Sequence, residues 1–205
     1  MALLVRPDIR RTKMKKILRA TIITVTLFFS QFTFADAPRI RPKTWAQPVI
    51  SETLENWYKV DDKVFRSSQP NNKGMLQLLQ MDITEVLNLR YFHSDDDEAK
   101  GTGLKLHRLR TEAGDLSADE ITKALKIITT AKGKILVHCW HGSDRTGAVV
   151  ASYRVVVQGW SKDDAIDEML NGGYGFHSIF DNIVPLIQAL DVAKMRKELN
   201  IEKTF

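Results

Sequence analysis

The 205-residue chain contains one cysteine, Cys139, and an arginine stands six positions after it, Arg145. Between them lie Trp140, His141, Gly142, Ser143 and Asp144, and Thr146-Gly147 follows directly. A thiolate is a strong nucleophile. The planar fork of an arginine grips two oxygens of a tetrahedral anion, which a lysine cannot do. Gly142 supplies a residue that tolerates a left-handed backbone and close approach of another chain segment. A buried structural cysteine beside a surface arginine would share this spacing. The pair therefore gains its meaning from what surrounds it.

The flanks supply that context. Ile135, Leu136 and Val137 read as a short buried strand, and Ala148 to Val157 is apolar at helical spacing. Asp144 to Gly147 should therefore open a helix. A turn of this kind leaves several backbone N–H groups without partners and sets a helix N-terminus behind them. Together they form a cup suited to a phosphate-like dianion, with Cys139 at its floor, where the same field favours the thiolate.

The string His138-Cys139-Trp140-His141-Gly142-Ser143-Asp144-Arg145-Thr146-Gly147 resembles the signature loop of the cysteine-dependent protein-tyrosine and dual-specificity phosphatases, in particular their small bacterial, leader-bearing members. Val64 to Pro70, Val86 to Arg90, Tyr153 to Trp160 and Glu168 to Phe176 are similar to further stretches of those members, so the likeness spans about residues 57 to 177. It implies an α/β fold with a central mixed, mostly parallel sheet flanked by helices. It implies hydrolysis of phosphotyrosine, with some phosphoserine or phosphothreonine, through a phosphocysteine on Cys139. Trp140, His141, Gly142, Ser143, Asp144 and Thr146 would meet the substrate, with no cofactor and no metal. His138 would orient the loop. The resemblance also implies an acid on the loop before the helix that leads to the nucleophile strand. The position where relatives carry an aspartate is Gly114 here. Asp115 is the first choice for that acid and Glu112 the second. The four variable loop positions hold one possible cation and one anion, which argues against highly charged inositol phosphates. A phosphoinositide or small-phosphoester phosphatase is the alternative reading. A rhodanese-type sulfurtransferase is a more distant one, since Arg145-Thr146-Gly147 and the following helix fit phosphatases better.

Composition narrows the partners. The formal charge is +5. Residues 1–35 carry seven Lys or Arg and one acid, and the remainder 23 basic and 24 acidic residues. Without the leader the chain is near neutral, and nucleic-acid binding loses its electrostatic argument. The partners expected are phosphorylated proteins. Residues 1–35 read as a secretory signal: basic, then apolar, then Thr33-Phe34-Ala35 for cleavage. A periplasmic or secreted protein follows. A membrane enters only if the leader stays uncleaved. Residues 36–56, with Pro38, Pro42 and Pro48, read as an extended arm, and 57–205 as the phosphatase domain. A single cysteine allows no disulfide within the chain.

The remaining elements are coarser. A hairpin is expected around Asp61-Asp62, a helix from Asn71 to Gln80 and strands over 83–89 and 104–109. Arg66 is read as serving the site or the surface, with neither preferred. Ser117 and Glu120 form a capping box that opens a helix. Further helices are expected from Ser161 to Leu170, with Gly172-Gly173 at its end, and from Phe180 to Leu199 unbroken. The acidic run Ser94 to Glu98 lacks the register of a calcium loop and reads as solvated.

Overall fold

The computed structural model describes residues 40–201, so the leader and the first residues of the arm lie outside it. The strands are β1 (Gln47–Pro48), β2 (Tyr58–Lys59), β3 (Val64–Ser67), β4 (Ile83–Arg90), β5 (Lys105–Thr111) and β6 (Lys134–His138). They form one sheet in the order β1-β2-β3-β6-β4-β5. β1, β2 and β3 pair antiparallel. β3, β6, β4 and β5 run parallel. Strand β6, which leads into Cys139, thus lies between two parallel neighbours. This is the mixed, mostly parallel sheet that the alternation of strands and helices leads one to expect.

The helices are α1 (Asn72–Gln80), α2 (Ala118–Thr130), α3 (Asp144–Val156), α4 (Lys162–Asn171), α5 (Ile183–Ala189) and α6 (Val192–Glu198). Strand periodicity divides them between two cores. Val64, Leu87, Leu89, Ile135 and Val137 face the core shared with α2 to α6. Phe65, Val86 and Leu136 face the other way, towards Met75 and Leu78 of α1 and towards Leu54 and Trp57. Every residue of α3 except Arg145 is buried. A helix enclosed on all sides can hold its first turn still, and that turn completes the cup.

Local signals explain the boundaries. The Asn71 side chain caps α1 by accepting from Gly74 N. Ser117 and Glu120 make the expected reciprocal capping box at α2. Ser161 caps α4 through Asp164 N. The last helix departs from expectation. It breaks at Leu190, which is extended at φ −57° and ψ 127°, and Asp191 caps a new helix through Lys194 N. Apolar periodicity carries across that joint because Leu190 is itself buried. From residue 41 the stretch read as an arm packs on the domain, with Trp45, Ala46 and Leu54 buried. Among the described residues no helix is long and apolar enough to cross a membrane.

Candidate active site

β6 ends at His138, and the chain then turns through Cys139 to Ser143 before α3 begins at Asp144. Three consecutive carbonyls of this turn are tied to the surrounding scaffold. Trp140 O accepts from Gln69 N at 2.9 Å. His141 O accepts from Asn56 Nδ2 at 2.8 Å. Gly142 O accepts from Arg66 Nη2 at 2.6 Å. No peptide bond here is cis, so each N–H points opposite to the carbonyl before it. The amides of His141, Gly142 and Ser143 therefore point away from the scaffold. Among the described residues they meet no acceptor, nor do those of Asp144 and Arg145 in the first turn of α3. This is the cup of donors, assembled.

Gly142 shows why the turn has this sequence. Its φ is +72°, and a Cβ there would collide with the Ser67 carbonyl. Both the dihedral and the clearance require glycine.

Each residue of the expected site has a distinct place. Cys139 is only 2% exposed, beneath the turn. Arg145 is held from behind, because Nη1 donates to Thr111 O at 3.1 Å and Leu89 O at 3.3 Å, at the ends of β5 and β4. Thr146 is fully buried, and its hydroxyl has no partner among the described residues. An unsatisfied buried hydroxyl costs about 1–3 kcal/mol, which a bound ligand or solvent molecule would relieve. Trp140 and His141 are exposed. The side chains of Ser143 and Asp144 are engaged elsewhere, which leaves only their amides facing the cup. The Ser143 hydroxyl donates to Tyr174 O at 2.7 Å. The Asp144 carboxylate accepts from His177 N at 2.8 Å and faces His177 Nδ1 at 2.9 Å.

The acid is where geometry and sequence part. A cavity of about 470 Å³ holds Arg145, Trp140, Tyr91, Phe92 and Phe180, with Thr111 to Gly114 on its wall. Glu112 therefore borders the cavity, and Asp115 does not. Asp115 ends the 3-10 turn Ala113–Asp115 and is exposed.

Three supporting residues escaped the sequence reading or were left open by it. Arg66, for which a surface place was left open, is 1% exposed. Its guanidinium stacks 3.6 Å from the Tyr174 ring centroid. Burial holds it below its ordinary value, while the neighbouring Tyr174, Glu168 and Cys139 favour its charge. Asp95, in the run read as solvated, is 3% exposed. It accepts from Gln69 Nε2 at 2.8 Å and Asn88 Nδ2 at 2.9 Å. Its Oδ2 lies 2.9 Å from His138 Nε2, and His138 Nδ1 lies 3.1 Å from Cys139 O. Burial is the largest influence and opposes the Asp95 charge, but the bonds from His138 and Gln69 and the nearby His138 and His93 together outweigh it and keep the carboxyl below its ordinary value. His138 thus links the loop to an acid that no spacing rule marks. His93, Asp95 and Glu98 bring ligand-type atoms within 4.8 Å of one another. The Asp95 oxygens are already occupied by these hydrogen bonds, so the cluster reads as scaffold. The third residue, Tyr174, lies between Arg66 and Arg41 and donates to Glu168 Oε1 at 3.0 Å. Glu168 closes a buried ion pair with Arg154 at 2.8 Å. A Cβ on Gly172 would strike the Tyr174 ring, so that ring dictates glycine there.

A cysteine under a ring of amides, an arginine at its edge and a mixed sheet ending in that turn define a cysteine-dependent phosphatase. Residues 53–182 match the sequence profile of the Tyrosine phosphatase family, and the chain belongs to that family. It is 30% identical over 185 residues to the dual specificity protein phosphatase TpbA of Pseudomonas aeruginosa, covering 88% of this chain and 83% of TpbA. It is 28% identical to an inositol diphosphatase of Oryza sativa subsp. japonica, covering 63% of this chain and 67% of that protein. Among solved structures, a cysteine-to-serine variant of TpbA in complex with phosphotyrosine superposes with a TM-score of 0.72 at 28% identity, over 80% of this chain and all of that one. The protein is a phosphatase enzyme.

Proposed function

We propose that the protein hydrolyses phosphotyrosine in proteins through a phosphocysteine at Cys139. The observation that carries this reading is the outward tethering of the Trp140, His141 and Gly142 carbonyls, which turns a set of unpaired amides towards one place. Those donors and the free edge of Arg145 hold the three equatorial phosphoryl oxygens. The Cys139 thiolate attacks in line, so the S–P bond forms as the bond from phosphorus to the tyrosine oxygen breaks. Glu112 protonates the departing phenolate. The resulting carboxylate then takes a proton from water, which attacks phosphorus and releases phosphate and the thiolate. Tyr91, Phe92, Trp140 and Phe180 give the cavity the aromatic walls that suit an aryl ester.

Two further observations support this. TpbA, of which this chain covers 83%, is named a dual specificity phosphatase. Membership of the phosphatase family argues against sulfur transfer. The basic, apolar leader supports action outside the cytoplasm, on envelope or exported phosphoproteins.

The test is hydrolysis of para-nitrophenyl phosphate and of a phosphotyrosine peptide by wild type and Cys139→Ser, with and without vanadate. Wild type releases phosphate and vanadate blocks it. Normal phosphate release by Cys139→Ser would overturn the mechanism. Turnover of an inositol diphosphate and of no phosphopeptide would overturn the substrate class.

A further inference from the structure

Trp140 is a partition between two cavities. On one side lies the cavity of Arg145 and Glu112. On the other lies one of about 380 Å³, bordered by Asn56, Ser68, Gln69 and His141. Arg90 borders both, and Arg145 borders only the first. The Arg90 guanidinium lies 4.1 Å from the Trp140 ring centroid. Its Nη1 donates to Gln69 Oε1 at 3.0 Å. Gln69 cannot drift, since its side-chain nitrogen is fixed on Asp95 and its backbone N–H on Trp140 O. Arg90 is therefore aimed by a rigid support.

Its charge has no direct ion-pair partner among the described residues. Among them no carboxylate lies within ion-pair distance of it, and its Nε and Nη2 meet no acceptor. Burial and the nearby Arg145 hold its guanidinium below the ordinary value, against the weaker pull of Asp95, Glu98 and Cys139, none of which reaches it. Two neighbouring guanidiniums repel unless anions sit against them. A phosphoryl group in the cup satisfies Arg145, and Arg90 remains for something else.

We propose that Arg90 receives a second anionic group of the substrate, a carboxylate side chain beside the phosphotyrosine, in the polar cavity behind Trp140. This rests on the phosphotyrosine reading above. Glu55 also borders that cavity. Its charge repels a doubly charged phosphate more than a single carboxylate, which is why an acidic peptide residue fits better than a second phosphoryl group.

The experiment compares kcat/KM of wild type and Arg90→Gln on three substrates. They are para-nitrophenyl phosphate, a phosphotyrosine peptide with glutamates on both sides, and the same peptide with glutamines. Wild type should favour the acidic peptide about fivefold, the scale of one solvent-accessible ion pair. Half-molar salt should erase most of that preference. In Arg90→Gln the two peptides should become equal. A wild type without preference, or a preference that survives Arg90→Gln, overturns the proposal. A drop in Arg90→Gln that is the same on all three substrates also overturns it, and makes Arg90 a contact of the reacting phosphate. If wild type cleaves neither peptide, the phosphotyrosine reading itself has failed. Retained vanadate binding and melting temperature in Arg90→Gln show that the cup and fold are intact.

Discussion

The two halves of this site are built differently. The half proposed to meet the phosphoryl oxygens is held from every side: by Arg66 of β3, Asn56, Gln69, the His138–Asp95 pair and the Tyr174 segment. The half proposed to meet the leaving group is a short arc from Glu112 to Asp115, exposed at both ends. Asn182 Nδ2 holds that arc through Ala113 O at 2.9 Å, and a long bond from Asp115 N to Glu112 O spans 3.3 Å. Charge on the phosphoryl oxygens must be met by fixed donors, because reorganising them would cost what they contribute. A proton donor needs only to reach one atom, and an exposed arc suffices.

The largest effects test the fixed half. Cys139→Ser should lower kcat on the order of 10⁴-fold or more, read as phosphate release. Arg145→Lys keeps the charge but loses the fork, and should cost about 10²–10³-fold.

The exposed half gives a smaller and selective loss. Glu112→Gln should cut kcat about 10²-fold on phosphotyrosine, remove the alkaline limb of the pH profile, and cost less on para-nitrophenyl phosphate, whose leaving group needs little help. Asp115→Asn should stay within about twofold on both. The reverse ranking would move the acid back to Asp115.

Asp95→Asn probes the support of the cup without touching substrate. It should lower kcat about tenfold through misplacement of the turn. It should also cost about 2 kcal/mol of stability in chemical denaturation, because His138 loses a buried charged partner.

The smallest effect lies at the other end of the nucleophile strand. Glu85 is buried, which raises its carboxyl. Bonds from His107 at 2.6 Å, Lys132 N at 2.6 Å and Lys105 at 3.2 Å outweigh this and bring it to about 2 from 4.5. A depressed carboxyl stabilises the fold above its unfolded value, and that stability fades as pH falls from about 4.5 towards 2. Glu85→Gln should therefore flatten the acid limb of the stability curve and leave kcat near neutral pH within about twofold.

The same contrast explains what could be read without coordinates. Cys139, Gly142 and Arg145 sit in one contiguous turn, and strand and helix patterns on either side fix its geometry. The capping box at Ser117 and the hairpin at Asp61 are equally local. Asp95 acts 43 positions away from its partner His138, inside a run whose composition reads as solvated. Only the fold reveals which of three adjacent aspartates turns inward. Arg66 alternates with core residues along β3, a hint that a charged side chain overrides until its carbonyl partner is known. Glu112 and Asp115 differ by a turn of 3-10 helix, a change of direction that spacing along the chain does not encode.

Cys139 hangs from one of the two central strands of six, with a parallel neighbour hydrogen-bonded along each edge. The amides of β6 should be among the last to exchange with deuterium, because opening them requires the sheet to part on both sides. Heat should therefore displace Cys139 only as the whole fold melts, even if the exposed arc loosens first.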